Sequence, residues 1–146
     1  MAERTVLQSI KGRQVISLGP DASVFEAACL MTQMRRGSVL VMTPPDTLLG
    51  IVTERDLMVR VLARARDPQQ TRLHEVMTPN PQCVSPAMPV SEAVVIMIER
   101  GFRHLPIAGP GGHIVGVFSA RDALPREIDA AVSQAEFNEQ VNDALG

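Results

Sequence analysis

Apolar residues recur at helical spacing in two places, Val24, Ala27, Ala28 and Met31 and then Val90, Ala93, Val94 and Met97, each flanked by short apolar runs. The spacing predicts an amphipathic helix at each place, and the runs predict strands. In the first stretch the strands are Val15 to Leu18, Val39 to Met42 and Leu48 to Val52, the last two joined by the turn-forming Thr43-Pro44-Pro45-Asp46. In the second they are Gln82 to Val84, Leu105 to Ala108 and Ile114 to Phe118, with Gly109-Pro110-Gly111-Gly112 at the turn. A helix is expected after Thr53, running through Leu57, Val61 and Leu62, whereas Pro125 is expected to cut short the one after Ser119. Each stretch reads β-α-β-β-α. Ile128, Ala131, Val132, Ala135 and Val141 predict one further amphipathic helix over Arg126 to Leu145.

The two stretches are copies of one another. Gly50-Ile51-Val52-Thr53-Glu54-Arg55-Asp56 returns 66 residues later as Gly116-Val117-Phe118-Ser119-Ala120-Arg121-Asp122. The same offset aligns Leu7 with Leu73, Pro20 with Pro86, Val24 with Val90, Glu26 with Glu92, Ala27 with Ala93, Met31 with Met97 and Pro44 with Pro110, with no gap required. The polar stretch Arg64 to Arg72 is the natural connector. We therefore expect one repeat over residues 1–66, a second over 67–124 and a helical tail over 125–146. The fold class is α/β in the α+β sense. A single copy is too small to bury both faces of a three-stranded sheet, so the copies are expected to pack about a pseudo-twofold axis with a cleft between them.

Composition narrows the function classes. With 146 residues, 45% of them apolar and 21% charged, the chain is sized for one globular unit without room for two ordinary enzyme domains. A net charge of −2 gives no broad positive field, and four Phe without Trp or Tyr give no base-stacking platform, which argues against nucleic acid. No apolar run approaches the ~20 residues that span a bilayer, and the N-terminus lacks a signal-peptide core, so no membrane role and a cytoplasmic location are expected. Cys29 and Cys83 belong to no metal or redox motif and read as buried small hydrophobes. His74, His104 and His113 lack further ligands at helical or hairpin spacing, so no metal is expected. The chain has no nucleophile elbow, phosphate loop or dinucleotide fingerprint, and no enzyme is expected.

The chemistry that remains sits in the repeated heptapeptide. Thr53-x-x-Asp56 and Ser119-x-x-Asp122 have the spacing of a helix cap, in which the hydroxyl accepts from an amide three residues on. The same residues suit a ligand: the acid accepts two hydrogen bonds from a ribose diol, while local amides and the neighbouring Arg55 and Arg121 hold phosphate. The two readings compete for the Asp.

The paired Gly-apolar-apolar-Thr/Ser-x-Arg-Asp segments resemble those of the tandem cystathionine β-synthase (CBS) domain family, the Bateman module. Lys11-Gly12-Arg13-Gln14-Val15, Gly37-Ser38-Val39-Leu40-Val41, Val76-Met77-Thr78-Pro79 and Arg103-His104-Leu105-Pro106-Ile107 support the likeness, which runs from about Leu7 to Leu124. The resemblance implies a stand-alone regulatory module, with two clefts taking AMP, ADP, ATP, NAD or S-adenosylmethionine, that signals to a protein effector through the shape of a homodimer. It also implies Asp56 and Asp122 as ribose-binding acids, Thr53 and Ser119 as adjacent hydroxyls, and Ile51 and Val117 as adenine walls. Asp56 is then expected to face Thr78, Pro79, Phe102, Arg103 and His104, with Arg103 holding phosphate, and Asp122 to face Lys11, Gly12, Ile16, Gly37 and Ser38, with Lys11, Arg36 and Arg121 serving phosphate there. A structural dimerisation module with empty clefts is the alternative.

Overall fold

The computed structural model describes residues 2–145. In chain order its elements are α1 (Val6–Ser9), β1 (Ser17–Leu18), α2 (Val24–Met34), β2 (Ser38–Thr43), β3 (Thr47–Thr53), α3 (Glu54–Asp56), α4 (Leu73–Val76), β4 (Thr78–Pro79), α5 (Val90–Arg100), β5 (His104–Ala108), β6 (Ile114–Ser119) and α6 (Pro125–Leu145). α3 continues as a wider turn over Leu57–Val61 and a tighter one over Leu62–Arg64. The chain forms two compact units, one of Val15–Pro81 and the other of the residues up to Gln14 together with those from Gln82 onward.

In the unit of Val15–Pro81 the strand order is β1-β2-β3-β4, with β1 parallel to β2 and the other neighbours antiparallel. α2 forms because Ser23 accepts from the Glu26 amide and Val24, Ala27 and Met31 fall on one buried stripe. It ends where Arg35 turns left-handed, at φ 56°. The core joins these residues to Val39, Val41, Val52 and Val61 and, from α4, Leu73 and Val76. The connector is tied down: Val24 donates to the Thr71 carbonyl and Phe25 to that of Pro68, and Thr71 is buried.

The other unit is built on the β5–β6 hairpin, which Val84 joins by a parallel bridge to Ile107. Val90, Ala93, Val94 and Met97 of α5 pack with Leu105, Ile107 and Phe118, with Ala131 of α6, and with Val6 and Ile10 from the start of the chain. Arg4 ties that start to α6: its Nη2 lies 2.8 Å from Glu127 Oε1 and 2.7 Å from the Asp122 carbonyl oxygen. Glu127 Oε1 also accepts from the Leu124 amide at 2.7 Å, at the beginning of α6.

Several expectations change. The gap-free offset pairs Leu7 with Leu73, but α1 and α4 match with Val6 opposite Leu73: these two are fully buried, and Leu7 is 44% exposed. One residue is absorbed before α2 and α5 restore the 66-residue offset. The stretch Gln82 to Val84 contributes a bridge at Val84 and no strand, and Val15 to Leu18 narrows to Ser17–Leu18. The turn after Ser119 does stop short of Pro125, at Asp122, as expected, and Pro125 itself opens α6 one residue ahead of the expected Arg126, since the first turn needs no amide proton there. Cys29 and Cys83 are exposed, not buried packing groups. Cys29 lies about 200° around α2 from buried Ala27, and Cys83 precedes buried Val84 in extended chain.

Gly50 admits β4 against β3. A Cβ there would stand 2.8 Å from the Thr78 carbonyl oxygen and 2.5 Å from Met77 Sδ. Gly50→Ala is expected to destabilise the fold by about 1–3 kcal/mol, whereas Gly19→Ala, with nothing within 4 Å of its Cβ, stays within about 0.5 kcal/mol. Chemical denaturation of both variants checks this. Burial alone would raise the Glu127 pKa, but the hydrogen bonds from Arg4 and the Leu124 amide outweigh it and hold the carboxyl below its ordinary 4.5. The folded state therefore binds this proton less readily than the unfolded chain, and the contribution is present above pH 4.5 and lost as pH falls through the lowered value. Wild type should exceed Glu127→Gln in melting temperature at neutral pH, and the gap should close on acidification below pH 4.5.

Candidate functional site

Each hairpin ends by delivering a hydroxyl and then an acid to a tight turn. At the end of β3, Thr53 is extended, with φ −116° and ψ 168°, and caps α3. Its Oγ1 accepts from the Asp56 amide at 3.3 Å, while Asp56 Oδ2 accepts from the Thr53 amide at 2.8 Å and from Thr53 Oγ1 at 3.1 Å. The other oxygen, Oδ1, stands 3.7 Å from Arg60 Nε, beyond hydrogen-bond distance. Arg60 turns its Nη1 elsewhere, onto the carbonyls of Val76 and Met77 at 2.9 and 3.2 Å. The Asp56 side chain keeps 12% of its surface open.

At the end of β6 the backbone repeats this geometry and the side chains do not. Ser119 caps the turn Ala120–Asp122, and Asp122 Oδ2 accepts from the Ser119 amide at 2.8 Å. Arg13 then closes on the same acid with both arms: Nη1 lies 2.9 Å from Oδ1 and Nη2 lies 2.7 Å from Oδ2. Nη2 also donates to the Val117 carbonyl at 3.1 Å. The hydrogen bond to Asp122, opposed by burial and aided by its charge, raises the Arg13 pKa above its ordinary value. A fork-to-fork pair of this kind is stronger than a single neutral hydrogen bond and fixes orientation as well.

The capping expectation therefore holds at both acids, and the picture of an acid without protein partners does not: the hydroxyl-acid spacing that suits a ligand is also the spacing that closes the backbone. Register places Ser38 opposite Thr53 and His104 opposite Ser119. The Gly37 carbonyl accepts from Glu54 and the Arg103 carbonyl from Ala120, so the strand preceding each hydroxyl steadies its turn. Ile16, Arg36, Gly37, Ser38, Ile51, Arg55, Thr78 and Pro79 share the unit of Asp56, with Thr78 beside Ile51 and Pro79 beside Gly50. Lys11, Gly12, Phe102, Arg103, His104, Val117 and Arg121 share the unit of Asp122. Ile51 and Ser38 are buried, while Lys11, Arg55, Phe102, Arg103 and Arg121 are exposed. Arg13 is the partner of Asp122 that sequence reasoning misses. The signal was in Lys11-Gly12-Arg13, whose counterpart after α4 is Thr78-Pro79-Asn80, without a cation. Among the described residues no helix is long and apolar enough to cross a membrane, and no three His, Cys, Asp or Glu gather as a metal site.

Comparisons with known proteins bear on the whole chain. The CBS domain model matches residues 7–63 and 73–127. An uncharacterised protein of Methanopyrus kandleri is 33% identical over 115 residues, which are 79% of this chain and 59% of that protein. The Arabidopsis thaliana CBS domain-containing protein CBSCBSPB5 is 28% identical over 132 residues, 90% of this chain and 24% of its own length. This chain thus spans less than two thirds of either relative. Among solved structures, a CBS-domain containing protein from Agrobacterium tumefaciens is 31% identical with TM-score 0.75, covering 82% of this chain and 95% of that one. A CBS domain protein from Pyrobaculum aerophilum, complexed with AMP, is 25% identical with TM-score 0.77, covering 90% of this chain and all of that one. The mixed α/β fold, the duplicated heptapeptide and the family match agree, and the chain belongs to the CBS domain family, with one domain over residues 7–63 and a second over 73–127.

Proposed function

We propose that this tandem CBS pair is a regulatory binding module for an adenosine compound of the AMP, ADP, ATP, NAD or S-adenosylmethionine class, and not a catalyst. The observation that carries the reading is the AMP complex of the Pyrobaculum aerophilum relative, similar over 90% of this chain. On this reading Asp56 and Thr53 take the ribose hydroxyls, Ile51 and Thr78 border the base, and Arg55 serves phosphate. Ser119, Asp122, Val117 and Arg121, with Lys11 and Gly12, are the corresponding positions around the second acid. Charge-assisted hydrogen bonds of this kind contribute about 1.5–3 kcal/mol each before ordering costs. The module acts as a cytoplasmic homodimer whose shape a protein effector reads. Exposed Phe25, Met58, Leu62 and Ile98 support an assembly of that sort.

The caps at Asp56 and Asp122 favour a second reading, a structural dimerisation module whose acids only hold backbone. The two readings separate in one set of melting curves. For a ligand bound near 10 μM, about 1 mM stabilises the folded state by roughly 2.7 kcal/mol, which raises the melting temperature of a chain this size by about 5–10 °C. Asp56→Ala is expected to lower basal stability by about 0.5–1.5 kcal/mol through loss of the hydrogen bond to the Thr53 amide and also to reduce the ligand-induced rise. Thermal scanning with each of the five compounds checks both. No rise with any of them leaves the structural reading standing alone.

A further inference from the structure

We propose that Arg13 is a resident occupant of the Asp122 carboxylate, which closes the Ser119–Asp122 segment to a sugar diol and leaves the Thr53–Asp56 segment as the one that takes ligand. The inference rests on the adenosine reading and adds which acid is available to it. A diol needs acceptor capacity on the carboxylate it grips. At Asp122 the two oxygens already accept two bonds from Arg13 and one from the Ser119 amide. The Asp122 side chain is 9% exposed beneath an Arg13 side chain that is 32% exposed. At Asp56 the hydrogen bonds from Thr53 converge on Oδ2, and Oδ1 faces Arg60 Nε at 3.7 Å, within ion-pair reach and beyond hydrogen-bond distance. Neutral hydroxyls that displaced Arg13 would exchange a bidentate pair of opposite charges for hydrogen bonds in which only the acceptor is charged, and would leave a guanidinium to be solvated again.

The chain builds this occupant in. After α1 the backbone takes two successive left-handed residues, Lys11 at φ 51° and Gly12 at φ 71°, and the Arg13 amide returns to the Ile10 carbonyl at 3.0 Å. A lysine in that conformation is strained, so the turn needs outside support. Buried Val6 and Ile10 supply it from one side, and the Arg13 bonds to Val117 and Asp122 from the other. The matching stretch after α4, Thr78-Pro79-Asn80, carries no cation at either offset.

Isothermal titration with AMP tests the proposal on the full chain. Wild type is expected to bind one AMP per chain and Arg13→Ala two. One AMP per chain for both proteins, or two for wild type, overturns the closure by Arg13 while sparing the adenosine reading. Binding of AMP to neither protein moves the same titration to ADP, ATP, NAD and S-adenosylmethionine, and binding of none of the five overturns the adenosine reading and this inference with it. Should Arg13→Ala fold poorly, NMR of the wild-type guanidinium signals decides: one equivalent of AMP should leave the Arg13 signals in place and shift amides around Asp56. Movement of the Arg13 signals at that first equivalent overturns the proposal.

Discussion

Each of the two cores is closed by a helix that lies outside its own β-α-β-β stretch. Val6 and Ile10, ahead of the first stretch, pack with Leu105, Ile107 and Phe118 of the second; Leu73 and Val76, ahead of the second, pack with Val39, Val41 and Val52 of the first. Without those side chains the hairpins would present open apolar faces, a loss on the order of 1.5–3 kcal/mol for each large aliphatic group. The constraint reaches the candidate site directly. Burying Val6 and Ile10 sets Lys11 to Arg13 beside β6, and burying Leu73 and Val76 sets Thr78 and Pro79 beside β3. Gly50 and Gly116 belong to the same arrangement, because a side chain at either would meet Met77 and Thr78 in one unit and Ile10 in the other.

From that shared frame the units diverge through single residues. Both turns have the same backbone logic, a hydroxyl and an acid that reciprocally cap the chain after the hairpin. The segment leaving the closing helix is different in each: a short strand paired to β3 in one unit, and a left-handed turn ending in Arg13 in the other. Duplication supplied two equivalent acids, and the segments arriving beside them decide how much of each carboxylate is already satisfied.

The parts legible in the sequence were those with a periodic or repeated signal. Of the expected stripe Val24, Ala27, Ala28 and Met31, all but half-buried Ala28 form the buried face of α2, its copy Val90, Ala93, Val94 and Met97 forms that of α5, and the two hairpins appear within a residue or so of their apolar runs. The four-residue helices α1 and α4 have too few positions for a periodicity to register, so their burial, and the one-residue slip that pairs Val6 with Leu73, needed three dimensions. The exposure of Cys29 escaped because residue type was weighed above helix phase. At the site, spacing gave Thr53 with Asp56 and Ser119 with Asp122, yet cap and ligand chemistry ask for the same spacing. Arg13 was hidden for a different reason. It reaches Asp122 across 109 residues, and no local pattern encodes such a pairing.

A capped acid and a ligand-binding acid need not be rivals when the two oxygens divide the work. At Asp56 the bonds from Thr53 end on Oδ2, which fixes the carboxylate plane and leaves Oδ1 as the oxygen with acceptor capacity. An acid held in this way has little rotamer freedom left to lose, so on the proposed reading less of the binding energy goes to ordering it. The cap then prepares the site. At Asp122 the same cap holds Oδ2, but the Arg13 fork takes both oxygens, and the preorganisation serves the protein's own cation. On the proposed reading, one hydrogen-bonded frame yields a receptive acid where the arriving segment brings Pro79 and a satisfied one where it brings Arg13.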